Sequence, residues 1–74
     1  MYMTVVEENI RRILNEKGLK HKVVAVRAGL TPQQFSDMLN GRRNIYDIDV
    51  LHISMALEVT PNELFGFKIE RGWG

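Results

Sequence analysis

The chain contains no cysteine. This excludes a disulfide framework and a thiolate zinc site, and it fits a reducing compartment. No apolar run exceeds a few residues, which excludes a membrane-spanning helix. The opening stretch MYMTVVEEN has neither a basic leader nor an apolar core, so no signal peptide is expected and the cytoplasm is the expected location. Repeats and low-complexity tracts are missing. So are the glycine-rich phosphate loops and the G-x-S-x-G nucleophile turn. His21 and His52 stand far apart, and a structural or phosphate-facing role suits them better than metal binding. No catalytic residue, metal site or cofactor is therefore expected, and an enzyme is the least supported class.

What remains is a chain of 74 residues, 45% hydrophobic and 26% charged. At this length a single domain buries somewhat more than about 60% of its unfolded surface, so the core must be small and well organised. The net charge of +1 hides an uneven distribution. Residues 17–43 carry Lys17, Lys20, Lys22, Arg27, Arg42 and Arg43 against Asp37 alone, while both flanks are net acidic. A basic middle in a nearly neutral protein points to a polyanion on one face.

Helical periodicity dominates. Thr4 with Glu7 forms a capping-box pattern, Val6, Ile10, Ile13 and Leu14 recur at helical spacing, and Gly18 supplies a stop. A first helix is expected over about 5–17. The run KHKVVAVRAG has strand-favouring valines but is short, and it reads as a helix over about 21–28 with Val24, Ala25 and Ala28 inward. LTPQQF opens the third helix: Leu30 as staple to Phe35, Thr31 as N-cap, Pro32 in the first turn, Gln34 closing the box. That helix extends to Asn40 and stops at Gly41. The fourth, about 47–58, bears Ile48, Val50, Leu51, Ile53, Met55 and Leu57 around most of its circumference, which predicts a central, buried helix. Asp47 and Asp49 suit its N-terminal dipole, and Met38 and Met55 read as core filler. VTPNEL opens a short fifth helix by repeating the cap of the third, with Thr60, Pro61 and Glu63. The expected fold is all-α, a compact bundle of five short helices over residues 1–66. The tail 67–74 follows, with Trp73 either a loose end or a dimer-contact anchor.

On a helical wheel, Phe35, Met38 and Leu39 face the core. Opposite them lie Gln33, Ser36, Asp37 and Asn40, a stripe without lysine or glutamate. Short side chains that both donate and accept suit base edges in a DNA major groove, and the cations on either side suit phosphates. Ala28-Gly29-Leu30-Thr31 is a turn of the length and composition that joins the two helices of a helix-turn-helix.

The stretches NIRRIL…KGL, AGLT, NGRRN and ALEVTPNELFG together resemble the lambda-repressor/Cro-type (Xre-like) helix-turn-helix family over roughly residues 5–66. The resemblance implies a sequence-specific, double-stranded-DNA-binding transcriptional regulator acting as a homodimer on a palindromic operator; a repressor is the favoured reading, and an activator stays open. It places Gln33, Gln34, Ser36 and Asp37 at base-facing positions, although Gln34 also has its capping role. It places His21, Asn40, Arg42, Arg43 and Asn44 at the DNA backbone, where the flanking cations Lys20 and Lys22 are expected by their charge. Dimer contacts are expected from the fourth and fifth helices or the tail. Val23, Val26 and Leu39 stand at positions commonly polar in that family. If exposed, they mark a contact with a dimer mate or a protein partner; the equal alternative is that they pack more tightly than the family pattern implies. The rival reading of function is a protein-interaction module such as an antitoxin-like partner. Lys20 replaces a usual Ser or Thr cap, so the second helix should begin less firmly.

Overall fold

A computed structural model describes residues 5–66, and its order is α1 (Val5–Lys17), α2 (His21–Arg27), α3 (Pro32–Leu39), α4 (Asp47–Leu57) and α5 (Pro61–Leu64). No strand occurs among the described residues, so the all-α expectation holds, with helix boundaries within one residue of those read from the sequence. The Thr4 cap and the Trp73 tail fall outside the described residues.

The helix starts arise from local chemistry. At α3 the box is reciprocal: the Gln34 N–H donates to Thr31 Oγ1 at 3.0 Å and the Thr31 N–H to Gln34 Oε1 at 3.0 Å. At α5 the Thr60 N–H donates to Glu63 Oε2 at 2.9 Å. At α4 the Tyr46 N–H donates to Asp49 Oδ2 at 3.0 Å, which explains why this carboxylate is buried in the first turn. Among the helix starts that are described, α2 alone has neither a side-chain cap nor a capping box, at Lys20. Lys20→Ser is expected to raise stability by about 1 kcal/mol, because Lys20 already has the extended backbone of a cap. A thermal melt would show it as a rise of several degrees, and an unchanged midpoint would mean that water already satisfies the free N–H groups.

The helix ends share one device. Leu19, Leu30, Arg42 and Val59 each donate an N–H to a carbonyl five residues back, at 3.0, 2.8, 2.8 and 2.9 Å. The residue before each has positive φ: Gly18, Gly29, Gly41 and Glu58. These are Schellman turns. At Gly29 an added Cβ would meet nothing within 4 Å, so its φ of +78°, not crowding, demands glycine in the α2–α3 turn. Glu58 adopts the same conformation at φ 61° without glycine's freedom, a stop the residue type did not announce.

α1 packs on α3 and α5, while α4 packs on α2 and α5. Ile10, Leu14, Val24, Ala25, Phe35, Met38, Leu39, Ile53, Leu57 and Leu64 form the centre of the core. Two expectations need correction. α4 is not buried all round: Val50, Ile53, Ser54, Ala56 and Leu57 face inward, whereas Ile48 (51% exposed), Leu51 (44%) and Met55 (66%) face outward. Met55 is therefore not core filler, although Met38 is. Leu39 does not belong to a surface patch with Val23 and Val26, because it is 1% exposed and sits in the core as the wheel predicts. The α4 correction has a physical cause: a short helix in a small bundle has neighbours on one side only, so apolar content does not specify burial.

The polar side of α1 ties the bundle together. Asn9 donates to the Leu64 carbonyl at 3.0 Å, Arg11 to the Leu39 carbonyl at 3.0 Å, and Lys17 to the Leu57 carbonyl at 2.9 Å. Each acceptor is the last residue of its helix, α5, α3 and α4 in turn. One helix thus supplies donors to orphan carbonyls at three C-termini, and its cations also sit favourably at the negative dipole ends of α3 and α4.

Candidate nucleic-acid interface

The interface candidate is assembled on α2, the turn 28–31 and α3. Phe35 anchors α3 from below, fully buried, with the His21 ring against it edge-on at 6.0 Å and 79°. That contact gives His21 a packing role in addition to its place at the start of α2. With Phe35, Met38 and Leu39 turned inward, the polar stripe of α3 is necessarily turned outward. Gln33 and Asn40 are exposed, and Ser36 and Asp37 are half-buried.

The stripe is internally paired in two steps of one turn. Gln33 Nε2 donates to Asp37 Oδ1 at 3.0 Å, and Asn40 Nδ2 donates to Ser36 Oγ at 3.4 Å. Gln34 lies apart from these pairs. Its carbonyl oxygen is committed to the Thr31 N–H, which leaves its NH₂ as the group free to meet another partner.

Cations border the stripe on both sides. Lys20, His21, Lys22 and Arg27 lie on or just before α2, and Arg42, Arg43 and Asn44 come after α3; all are exposed. Among the described residues the only ion pair within 4 Å is Arg12–Glu16 on α1. The basic side chains around α3 therefore have no carboxylate partner within 4 Å among those residues. The Arg42 N–H is held by the Asp37 carbonyl at 2.8 Å, so the turn projecting these guanidinium groups is anchored to α3.

No sequence pattern marks Asn9, Arg11 or Lys17 as ties between helices. Their carbonyl partners lie 55, 28 and 40 residues away, and no local spacing signals them. Among the described residues no group of three or more His, Cys, Asp or Glu side chains is placed to hold a metal, and no helix is long and apolar enough to cross a membrane. A concavity of about 670 Å³ lies away from the stripe. Val6, Ile45, Tyr46, Val50 and Phe65 line it together with Glu7, Arg43 and Asp47, and its surface is mainly apolar.

Residues 9–70 match the model of the Cro/C1-type HTH DNA-binding domain. A relative from Sinorhizobium fredii, described as an uncharacterized HTH-type transcriptional regulator, y4dJ, is 37% identical over 60 residues, covering 81% of this chain and 78% of that protein. The crystal structure of the restriction-modification controller protein C.AhdI from Aeromonas hydrophila superposes with a TM-score of 0.77 at 27% identity. That match covers 84% of this chain and 94% of the other.

Proposed function

We infer, for a chain that belongs to the Cro/C1-type helix-turn-helix DNA-binding family and is thus a DNA-binding transcriptional regulator, that it represses by occupying a palindromic operator as a homodimer. The observation that carries this reading is the outward stripe of α3 between cations that have no carboxylate partner within 4 Å among the described residues. In it, α3 enters the major groove, with Gln33, Ser36 and Asp37 at base edges and Gln34 contributing at the flank. Lys20, His21, Lys22, Asn40, Arg42, Arg43 and Asn44 hold the phosphates and set the register. Repression follows from steric exclusion at a site overlapping a promoter.

The homodimer is supported by the outward face of α4. Ile48, Leu51 and Met55 recur at one-turn spacing on the solvent side, with exposed Tyr46 at the helix start. Soluble monomers seldom leave such patches uncovered. Pairing this face with its own copy about a two-fold axis gives an isologous contact, and a two-fold dimer presents two α3 helices to an inverted repeat. The rival reading, a module serving mainly a protein partner, retains Val23 and Val26 as exposed apolar residues but loses Leu39.

Selection of bound sequences from a random DNA pool tests the whole reading. An inverted repeat with half-sites about 34–36 Å apart is expected. Gln33→Ala should flatten preference at one base pair of each half-site, at a cost of about 1–3 kcal/mol. Enrichment of no sequence, or a Gln33→Ala variant with the parent's preferences throughout, would overturn it.

A further inference from the structure

A guanidinium has only donors. Arg11 Nη2 donates to the Leu39 carbonyl at 3.0 Å and to Asn40 Oδ1 at 2.9 Å. The Asn40 amide must therefore turn its oxygen to α1 and its NH₂ away. That NH₂ meets Ser36 Oγ one turn back at 3.4 Å. The contact is long, but an amide bonded to a cation is polarised and its N–H is a stronger donor. A hydroxyl that accepts here keeps its single proton for another partner. Among the described residues no acceptor takes it. The other pair has an equally forced direction: the Asp37 carboxylate only accepts, so the Gln33 NH₂ must face it.

We propose that Arg11 is a positioning residue for base selection, acting through Asn40 to fix Ser36 as a hydrogen-bond donor toward the major groove. Ser alone can serve as donor or acceptor and so discriminates poorly. Driven by the Arg11–Asn40 chain, Ser36 selects an acceptor: a purine N7, guanine O6 or thymine O4. It disfavours the amino edges of cytosine and adenine. The inference rests on α3 being the DNA-reading helix, and it adds a polarity to that helix that comes from α1.

Asn40→Asp tests it. The new carboxylate still accepts from Arg11, so the clamp on the end of α3 persists, but it cannot donate to Ser36. The hydroxyl then turns to donate to the carboxylate, leaving Ser36 an acceptor toward the groove. The added negative charge weakens binding to all DNA alike, so the readout is the ratio between sequences. For the parent, one base pair per half-site should lose about fivefold in affinity, the scale of one neutral hydrogen bond, when its acceptor is deleted. The probe is 7-deazapurine at a purine, or a pyrimidinone lacking O4 at a thymine. Asn40→Asp should lose that sensitivity and shift its preference at the same base pair toward an amino group. Arg11→Gln, whose amide can present either face to Asn40, should blunt the preference without any substitution in α3, and it serves as the second variant if the first does not fold. If the parent selects a site and both variants keep its preference and analogue sensitivity at every position, the polarity chain is wrong while the reading helix stands. If the parent selects no site, the reading itself fails and the inference with it.

Discussion

Phe35→Ala is expected to lower the thermal midpoint by roughly 12–40 °C and to leave much of the protein unfolded at moderate temperature. Phe35 is fully buried, in the core cluster with Leu14, Val24, Met38 and Leu39 and against the His21 ring. Phe→Ala in such a position typically costs about 3–5 kcal/mol. A 74-residue domain has only roughly 4–11 kcal/mol in total, at about 0.05–0.15 kcal/mol per residue. Each kcal/mol in a domain of this size shifts the midpoint by about 4–8 °C. The loss is local as well as global, because Phe35 is the side chain on which α2 and α3 meet through His21. Phe35→Leu should cost clearly less, since it leaves a smaller void. Circular dichroism melts of the two variants beside the parent measure this directly. A fall of less than about 5 °C for Phe35→Ala would show that the α2–α3 joint does not depend on this ring.

Replacing Arg42 and Arg43 together by alanine is expected to weaken binding to every DNA sequence by about 30-fold at roughly 0.15 M salt. The figure comes from counterion release: two fewer phosphate contacts lower the slope of log K against log salt by about 1.8, which at that concentration is a factor near 30. Both side chains are exposed in the turn after α3 and have no ion-pair partner among the described residues, so their removal orphans no carboxylate there and should spare the fold. Titrations of operator and unrelated DNA over a range of potassium chloride give the slopes. The double variant should lose affinity for both in equal proportion. A loss confined to the operator would make one arginine a base reader, and an unchanged slope would place the turn away from the phosphates. Gln33→Ala should do the reverse, altering preference with little change in slope, because a neutral amide displaces no counterion.

The helix starts were legible because their signals lie within a few residues of one another. Thr31 with Gln34 and Thr60 with Glu63 close their turns locally, and such chemistry can be read without knowing what lies across the bundle. The stops at Gly18, Gly29 and Gly41 were legible for the same reason, since positive φ is inexpensive for glycine. Glu58 was not, because its left-handed turn is held by its neighbour Val59, whose N–H returns to the Ser54 carbonyl and whose side chain packs on the core. The outward stripe of α3 was readable because Phe35, Met38 and Leu39 define one unbroken inner face. The exposed face of α4 was not, because its apolar residues surround the helix and only the placement of α2 and α5 selects the buried side.

By itself, then, the sequence determined five helices, their starts, the basic middle of the chain, and the polar stripe Gln33–Ser36–Asp37–Asn40. All of these depend on interactions spanning a few residues or on charge counted along the chain. Only the tertiary structure decided that Ile48, Leu51 and Met55 face outward, and that Asn9, Arg11 and Lys17 hold the ends of three other helices. Those contacts join residues 28 to 55 positions apart. A donor on one helix finds a carbonyl on another only after the core has brought them together, so no spacing along the chain records the pairing.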